Sequence, residues 1–172
     1  MGAITYGGLR KKELSKDTTS TIEVVKDLIL MDECKTIEGF TLLQCTCPFT
    51  SSETIKSVTY KAFNESSSCI TTRRLEHTYL EWLLTENEGR LFNVNQNHKE
   101  KNQNIRSQDA TPVLSPTGNA YASSKKYFLE NNSFLGPNTF SHLITSEKEF
   151  IDIDTSEDYA KCKQYILEAG GI

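Results

Sequence analysis

The stretch GFTLLQCTCPFTSSETIKSVTYKAF, from Gly39 to Phe63, limits what this chain can fold into more than any other. Its first part is a short apolar run entered at Gly39 and closed at Pro48, the pattern of a strand buried on both faces. Thr50 then stands as an N-cap with Glu53 three residues on, a capping box, after which Ile55, Val58, Ala62 and Phe63 recur at helical spacing. A strand that feeds straight into a helix is the building unit of α/β folds, and a strand apolar on both sides belongs in the middle of a parallel sheet. The expectation is a central parallel strand followed by a covering helix.

The flanking sequence continues the alternation. In SKDTTSTIEVVKDLILM, Ser15 and Asp17 are the N-cap candidates, and Ile22, Val25 and Ile29 fall on one helical face with Val24 and Leu28 beside it. SCITTRR (Ser68 to Arg74) reads as a strand, and YLEWLL with GRLFNV around Asn87-Glu88-Gly89 as a hairpin. Asn95 to Pro116 is polar and has no apolar period, which predicts a long loop or an arm that orders against a partner. Beyond it, GNAYASS reads as a strand, KKYFLENN as a short helix, Gly136 to Asn138 as a turn and TFSHLI as a further short element.

A chain of 172 residues with 37% hydrophobic content is the size of one domain, residues 1–172, with an arm over roughly 75–118. Its net charge of -4, with both signs dispersed, argues against a nucleic-acid or membrane surface as partner and for small soluble ligands. No apolar run approaches the ~18 residues of a spanning helix and the N-terminus lacks a signal core, so a cytoplasmic location is expected. Five cysteines, Cys34, Cys45, Cys47, Cys69 and Cys162, form no zinc spacing and are read as reduced, mostly buried thiols. His77, His98 and His142 lie far apart and read as surface or packing residues.

Near the C-terminus, EFIDIDTSEDYAKCKQYILEAGG sets Phe150, Asp152 and Asp154 against Ile151 and Ile153, the alternation of a strand with one buried face. Both aspartates then point the same way, at the strand's C-terminal end. Thr155, with Asp158 three residues later, starts a helix whose stripe is Tyr159, Cys162, Ile166 and Ala169, and Gly170-Gly171 end it. Ligands of open α/β sheets bind beyond the carboxyl ends of strands, so two carboxylates about 7 Å apart along a strand could hold Mg²⁺ shared with nucleotide phosphates. Solvated aspartates on an exposed edge fit the same spacing. An EF-hand does not, because Glu157 and Lys163 occupy the positions of its Gly and terminal Glu.

Five blocks, in order, resemble the cytidylyltransferases that activate acidic nine-carbon sugars, chiefly the CMP-N-acylneuraminate synthetases and their legionaminate and pseudaminate relatives. YGGLRKKELSKDTTSTIEVVKDLI is similar to the family's Arg-Pro, Glu-Leu-(Ala/Ser)-x-Asp segment, and FTLLQCTCPFTSSETIKSV to its Leu-Gln-Pro-Thr-Ser-Pro-Leu-Arg strand and turn. IRSQDATPV resembles Arg-Arg-Gln-Asp-x-Pro, TGNAYASSKKYFLENNSFLG the Asn-Gly-Ala-Ile-Tyr block, and IDIDTSEDY the Ile-Asp-Ile-Asp-Thr motif. The resemblance implies a Rossmann-like mixed, mostly parallel sheet of the nucleotide-diphospho-sugar transferase type with a protruding dimerisation arm. It further implies attack of the sugar's anomeric hydroxyl on the α-phosphate of CTP, with loss of pyrophosphate and with Mg²⁺ as cofactor.

Residue by residue, the resemblance implies that Asp152 and Asp154 are the catalytic metal carboxylates. Gln44 would hydrogen-bond the sugar, although a polar group ending a buried strand is the alternative. Arg10 matches the arginine before Glu-Leu, but Lys11 replaces the next proline, and a solvated basic cluster with Lys11 and Lys12 is the alternative. Arg106 and Gln108 fall in the segment that reaches a neighbouring subunit in a homodimer, where Arg106 could meet the sugar carboxylate; an exposed loop arginine is the other reading. Gly118 is the glycine of the Asn-Gly-Ala block. Cys45 and Cys47 stand where Pro and Ser are usual, Ser107 replaces an arginine, and Thr117 and Asn119 replace Asn and Ala. The family also begins with a strand and a Gly-Ser-Lys-Gly-type phosphate loop that has no counterpart before Tyr6, which amounts to roughly two βα units of about 30 residues each. Two expectations follow: a cytidylyltransferase whose N-terminal part is truncated or supplied separately, or a non-catalytic remnant that keeps dimerisation and sugar binding.

Overall fold

A computed structural model of the chain describes residues 10–94 and 105–168. Its elements run α1 (Thr21–Ile29), β1 (Gly39–Leu43), α2 (Ser52–Asn64), β2 (Ser68–Tyr79), β3 (Leu84–Asn87), β4 (Arg90–Asn93), β5 (Pro112–Ser124), α3 (Lys125–Asn131), β6 (Phe140–Leu143) and α4 (Ser156–Glu168), joined in places by short 3-10 turns. Tyr6, residues 95–104 of the segment read as a loop, with His98 among them, and Ala169 with Gly170-Gly171 lie outside the described residues.

Among the described residues, all four α-helices start at a hydroxyl residue whose oxygen accepts the N–H three positions on: Ser20 from Glu23, Ser51 from Thr54, Ser124 from Tyr127 and Thr155 from Asp158. For α1 this moves the start from Ser15 or Asp17 to Ser20, because only there does a Glu stand at the third position to return the bond (Ser20 N–H to Glu23 Oε2, 2.8 Å). For α2 it moves the cap from Thr50 to Ser51, since the Thr50 hydroxyl is occupied with the Cys47 carbonyl. Thr155 and Asp158 make the box that the sequence predicts.

The main sheet has the order β1-β5-β2-β6, with β5 antiparallel to both neighbours and β2 parallel to β6. The expected mostly parallel sheet is therefore corrected to a mixed sheet with mainly antiparallel pairing. The cause is a single insertion. β1, β2 and β6 share one direction, as a strand-helix-strand unit requires, but β5 returns between β1 and β2 and converts what would be one parallel pair into two antiparallel ones. The β1 strand is likewise not central: among the described residues it pairs with β5 alone, and its side chains are half-buried, with Leu43 exposed. The polar stretch ending at Pro116 is strand from Pro112 onward.

Alternation along the strands sorts side chains to two cores. On one face Phe40, Leu42, Ile70 and Tyr121 meet Val25 and Ile29 of α1, Phe128 of α3, and Phe134. Phe128 is fully buried, with its ring centroid 5.2 Å from Phe40 and 4.9 Å from Phe134, and each such aromatic pair contributes roughly 0.5–1.5 kcal/mol beyond burial. On the other face Cys69, Ala120, Ala122 and Phe140 meet Val58 and Ala62 of α2. Small residues here let α2 lie close, and at Gly39 a Cβ would come within 2.5 Å of the Phe63 ring. The result is a helix-sheet-helix sandwich.

The β3–β4 hairpin stands apart as its own two-stranded ladder. Glu88 and Gly89 both have positive φ, the backbone of the tight turn whose twist suits a hairpin. Leu84, Leu91 and Phe92 on it are exposed, as is Val94 just beyond it.

Candidate functional site

The ladder between β2 and β5 breaks where the site forms. Ile70 pairs with Tyr121 but Thr72 pairs with Pro116, so β5 carries extra residues through Thr117, Gly118, Asn119 and Ala120. The Thr71 side chain bridges the break, its hydroxyl donating to Ala120 O (3.2 Å) while accepting from the Ala120 N–H (3.1 Å). Such bulges turn side chains out of the regular register and are common beside sites. Gly118 sits in it at φ +81, where a Cβ would be strained and would also meet Gln44 Oε1 at 2.8 Å, Asp152 Oδ2 at 3.4 Å and Cys47 Sγ at 3.4 Å.

Gln44 immediately follows the carboxyl end of β1, the position expected of a ligand crevice in an open α/β sheet. Asp152 and Asp154 reach the same pocket from the segment between β6 and α4. Their segment is not a strand as expected: a 3-10 turn over Glu147–Phe150 delivers it, and Ile153 N–H donates to Thr46 O (2.9 Å) and Asp154 N–H to Asp152 O (3.2 Å). One bond to the turn after β1 is too few to make a ladder. Phe150, Asp152 and Asp154 nonetheless line one pocket together.

That pocket, of about 350 Å³, is bounded by Gln44, Arg73, Pro116, Thr117, Gly118, Tyr121, Phe150, Asp152 and Asp154. It is within the range of small-ligand sites, ~300–1,000 Å³. Of the residues singled out from sequence, Gln44, Gly118, Asp152 and Asp154 converge on it. Arg10, Arg106 and Gln108 are exposed and do not line it. Arg73, Thr117, Tyr121 and Phe150 were missed as site residues. For Arg73 the sole signal was a charge at the end of an apolar strand, and its facing depends on the bulge.

A second network fixes the aspartate segment to the sheet. Glu149, 7% exposed, accepts the Ser51 N–H (2.6 Å) and the Thr54 hydroxyl (3.0 Å to Oε2) at the start of α2. The Asn119 amide donates to Glu149 O (2.9 Å) and to Thr50 Oγ1 (3.0 Å). The bulge, the α2 start and the approach to Asp152 are thereby one hydrogen-bonded unit.

Polar capacity is left over inside the pocket wall. Among the described residues Asp152 Oδ1 and Thr117 Oγ1 are buried and have no hydrogen-bond partner, an arrangement that favours a cation or a donor from a ligand. Burial first, and the Asp152 charge second, push the Cys47 thiol up to about 11; burial does the same to Cys69, also to about 11, in the α2 core. Both are therefore protonated at neutral pH. Burial, with Cys47 and Asp152 adding to it, also raises the Tyr121 phenol.

Iodoacetamide at pH 8 is accordingly expected to modify exposed Cys45 in the folded protein and to spare Cys47 and Cys69 until urea is added, as read by mass spectrometry. The unfolded thiols ionise near 9 and the folded ones near 11, so between those values the unfolded state holds fewer protons and stability falls as pH rises. Tm from pH 8.5 to 11 should drop less steeply in Cys69→Ala than in the natural protein.

No family model matches the chain. It is 27% identical over 153 residues to the N-acylneuraminate cytidylyltransferase of Streptococcus agalactiae serotype V, an alignment that covers 88% of this chain and 35% of that protein. It is 28% identical over 167 residues to the CMP-N,N'-diacetyllegionaminic acid synthase of Legionella pneumophila, covering 92% of this chain and 69% of the relative. The chain thus spans about a third of the length of the streptococcal protein. No described helix is long and apolar enough to cross a membrane.

Proposed function

We propose that this chain, a relative of the acylneuraminate cytidylyltransferases, transfers CMP from CTP to the anomeric hydroxyl of an acidic nine-carbon sugar of the N-acylneuraminate, legionaminate or pseudaminate type, releasing pyrophosphate. The observation that carries the reading is convergence. Gln44, Gly118 and Asp152 come from three sequence blocks that each resemble the family, and they meet around a single pocket beyond the end of β1.

Two carboxylates, one with an unpartnered buried oxygen, suit a hard divalent cation. Mg²⁺ is characteristically held by one or two carboxylates, with phosphate and water completing its shell, and the described residues contain no cluster of three His, Cys, Asp or Glu. Asp152 and Asp154 would hold it, and its charge would offset that of the triphosphate. Gln44, fixed at the end of β1, offers both a donor and an acceptor to sugar hydroxyls. Gly118, lacking a side chain, lets Gln44 and Asp152 approach the same ligand. Glu149 and Asn119 hold the wall in place, so positioning rather than covalent chemistry is the protein's contribution.

Arg10, Arg106 and Gln108 lie away from this pocket, and Arg106 and Gln108 would contribute through a second copy. Exposed Leu84, Leu91 and Phe92 on the hairpin favour such a homodimer, because an apolar surface of this kind is stabilised by being covered.

Pyrophosphate release from CTP, N-acetylneuraminate and Mg²⁺ tests the reading. Turnover above the protein-free rate supports it; sugar binding without turnover supports the non-catalytic alternative; absence of both overturns it.

A further inference from the structure

Arg73 belongs to the pocket without belonging to any block that resembles the family. It follows the buried pair Thr71 and Thr72 on β2, is paired in register with Ser115, and projects from the sheet as an exposed side chain. Its guanidinium carbon stands 5.9 Å from the centroid of the Phe150 ring, another wall of the same pocket. That contact limits where the long side chain can go.

The charge pattern around it is uneven. Asp152 and Asp154 line the pocket with Arg73, yet no ion pair within 4.0 Å joins Arg73 to a carboxylate among the described residues. The guanidinium therefore retains its donors for a ligand. An anionic sugar entering beside two aspartates is repelled by them unless a cation meets its own charge. Among the described residues Arg73 is the one arginine or lysine on the pocket wall, and a guanidinium matches a carboxylate through two parallel N–H bonds.

We propose that Arg73 is a specificity-determining residue that binds the carboxylate of the acidic sugar within the same chain, so that the anomeric hydroxyl, on the carbon that bears this carboxylate, is held toward Asp152 and Asp154. The assignment rests on the function proposed above. It gives to Arg73 the carboxylate contact that the sequence resemblance attaches to Arg106.

Binding of N-acetylneuraminate and of its methyl ester to the full chain, measured by calorimetry with Mg²⁺ present, tests it. The natural protein should prefer the acid by about tenfold or more, the worth of a charge-assisted pair. Arg73→Ala should bind the acid about 10- to 100-fold more weakly and lose the preference, while its affinity for the ester changes little. Arg73→Lys should recover part of the preference, and Arg106→Ala should keep it. Thermal melts of each variant establish that it is folded, which exposure of Arg73 favours. A preference that survives in folded Arg73→Ala, or that disappears in Arg106→Ala instead, overturns the assignment and leaves the proposed function standing. Failure of the folded natural protein to bind either sugar overturns the proposed function and this assignment with it.

Discussion

Asp152→Asn is expected to abolish most pyrophosphate release, by a factor of at least about 10², and at the same time to raise stability. The two effects have one origin. Oδ1 of Asp152 is buried without a partner, and the Cys47 thiol that hydrogen-bonds the carboxylate is a weak donor, so the folded chain carries an under-satisfied acceptor. Neutralising the side chain relieves about 1 kcal/mol, on the order of 2–4 °C in Tm for a chain of this size. The same change removes charge from the pocket that the proposed reaction needs, the usual conflict between stability and function at a site. Asp154 is exposed, so Asp154→Asn should cut turnover with a stability change within about 0.5 kcal/mol. Calorimetry and the pyrophosphate assay on both variants check this. A fall in both activity and Tm for Asp152→Asn would instead assign the carboxylate a structural role.

Glu149→Ala should be among the most destabilising single changes available outside the aromatic core. It deletes the acceptor of the Ser51 N–H and of the Thr54 hydroxyl, and it takes a negative charge from the N-terminal end of α2, where the helix dipole favours one. Taken together these amount to about 3 kcal/mol, roughly 6–12 °C in Tm. Glu149→Gln keeps one acceptor and should lose about half as much. Because Glu149 lies three residues before Asp152, the alanine variant should also lower turnover below what its folded fraction explains. Urea melts together with assays well below Tm separate the two effects, and a Tm within a degree of the natural protein would show that the network does not hold this wall.

Local features of the sequence were reliable where neighbours three or four residues apart decide the outcome. Thr155 and Asp158 close a capping box within one turn, and Ile22, Val25 and Ile29 share a helical face whatever they pack on. The cap of α1 was misplaced among several eligible hydroxyl and carboxyl residues, because the deciding partner was Glu23. The hairpin turn at Glu88-Gly89 was legible from a short glycine-containing break between two strand-like runs. Sheet order was not. Whether β1 and β2 touch or are separated depends on where β5 inserts, some 70 residues downstream of β1, and no local pattern carries that information.

The candidate site divides in the same way. The sequence by itself determined which chemical groups were on offer and in what order: Gln44 after an apolar run, Gly118 at the head of a strand-like run, and Asp152 and Asp154 two residues apart ahead of a helix start. That both aspartates line one pocket was decided by the fold, because the strand whose alternation predicted a shared side does not form there. Only the tertiary structure decided that these segments converge, that Arg73 joins them, and that Arg10, Arg106 and Gln108 do not in a single copy. The physical reason is the bulge in β5. Extra residues between Pro116 and Tyr121, bridged by the Thr71 hydroxyl and turned at Gly118, reset which side chains face the crevice. A register shift of that kind is set by long-range pairing and packing, which a one-dimensional pattern does not encode.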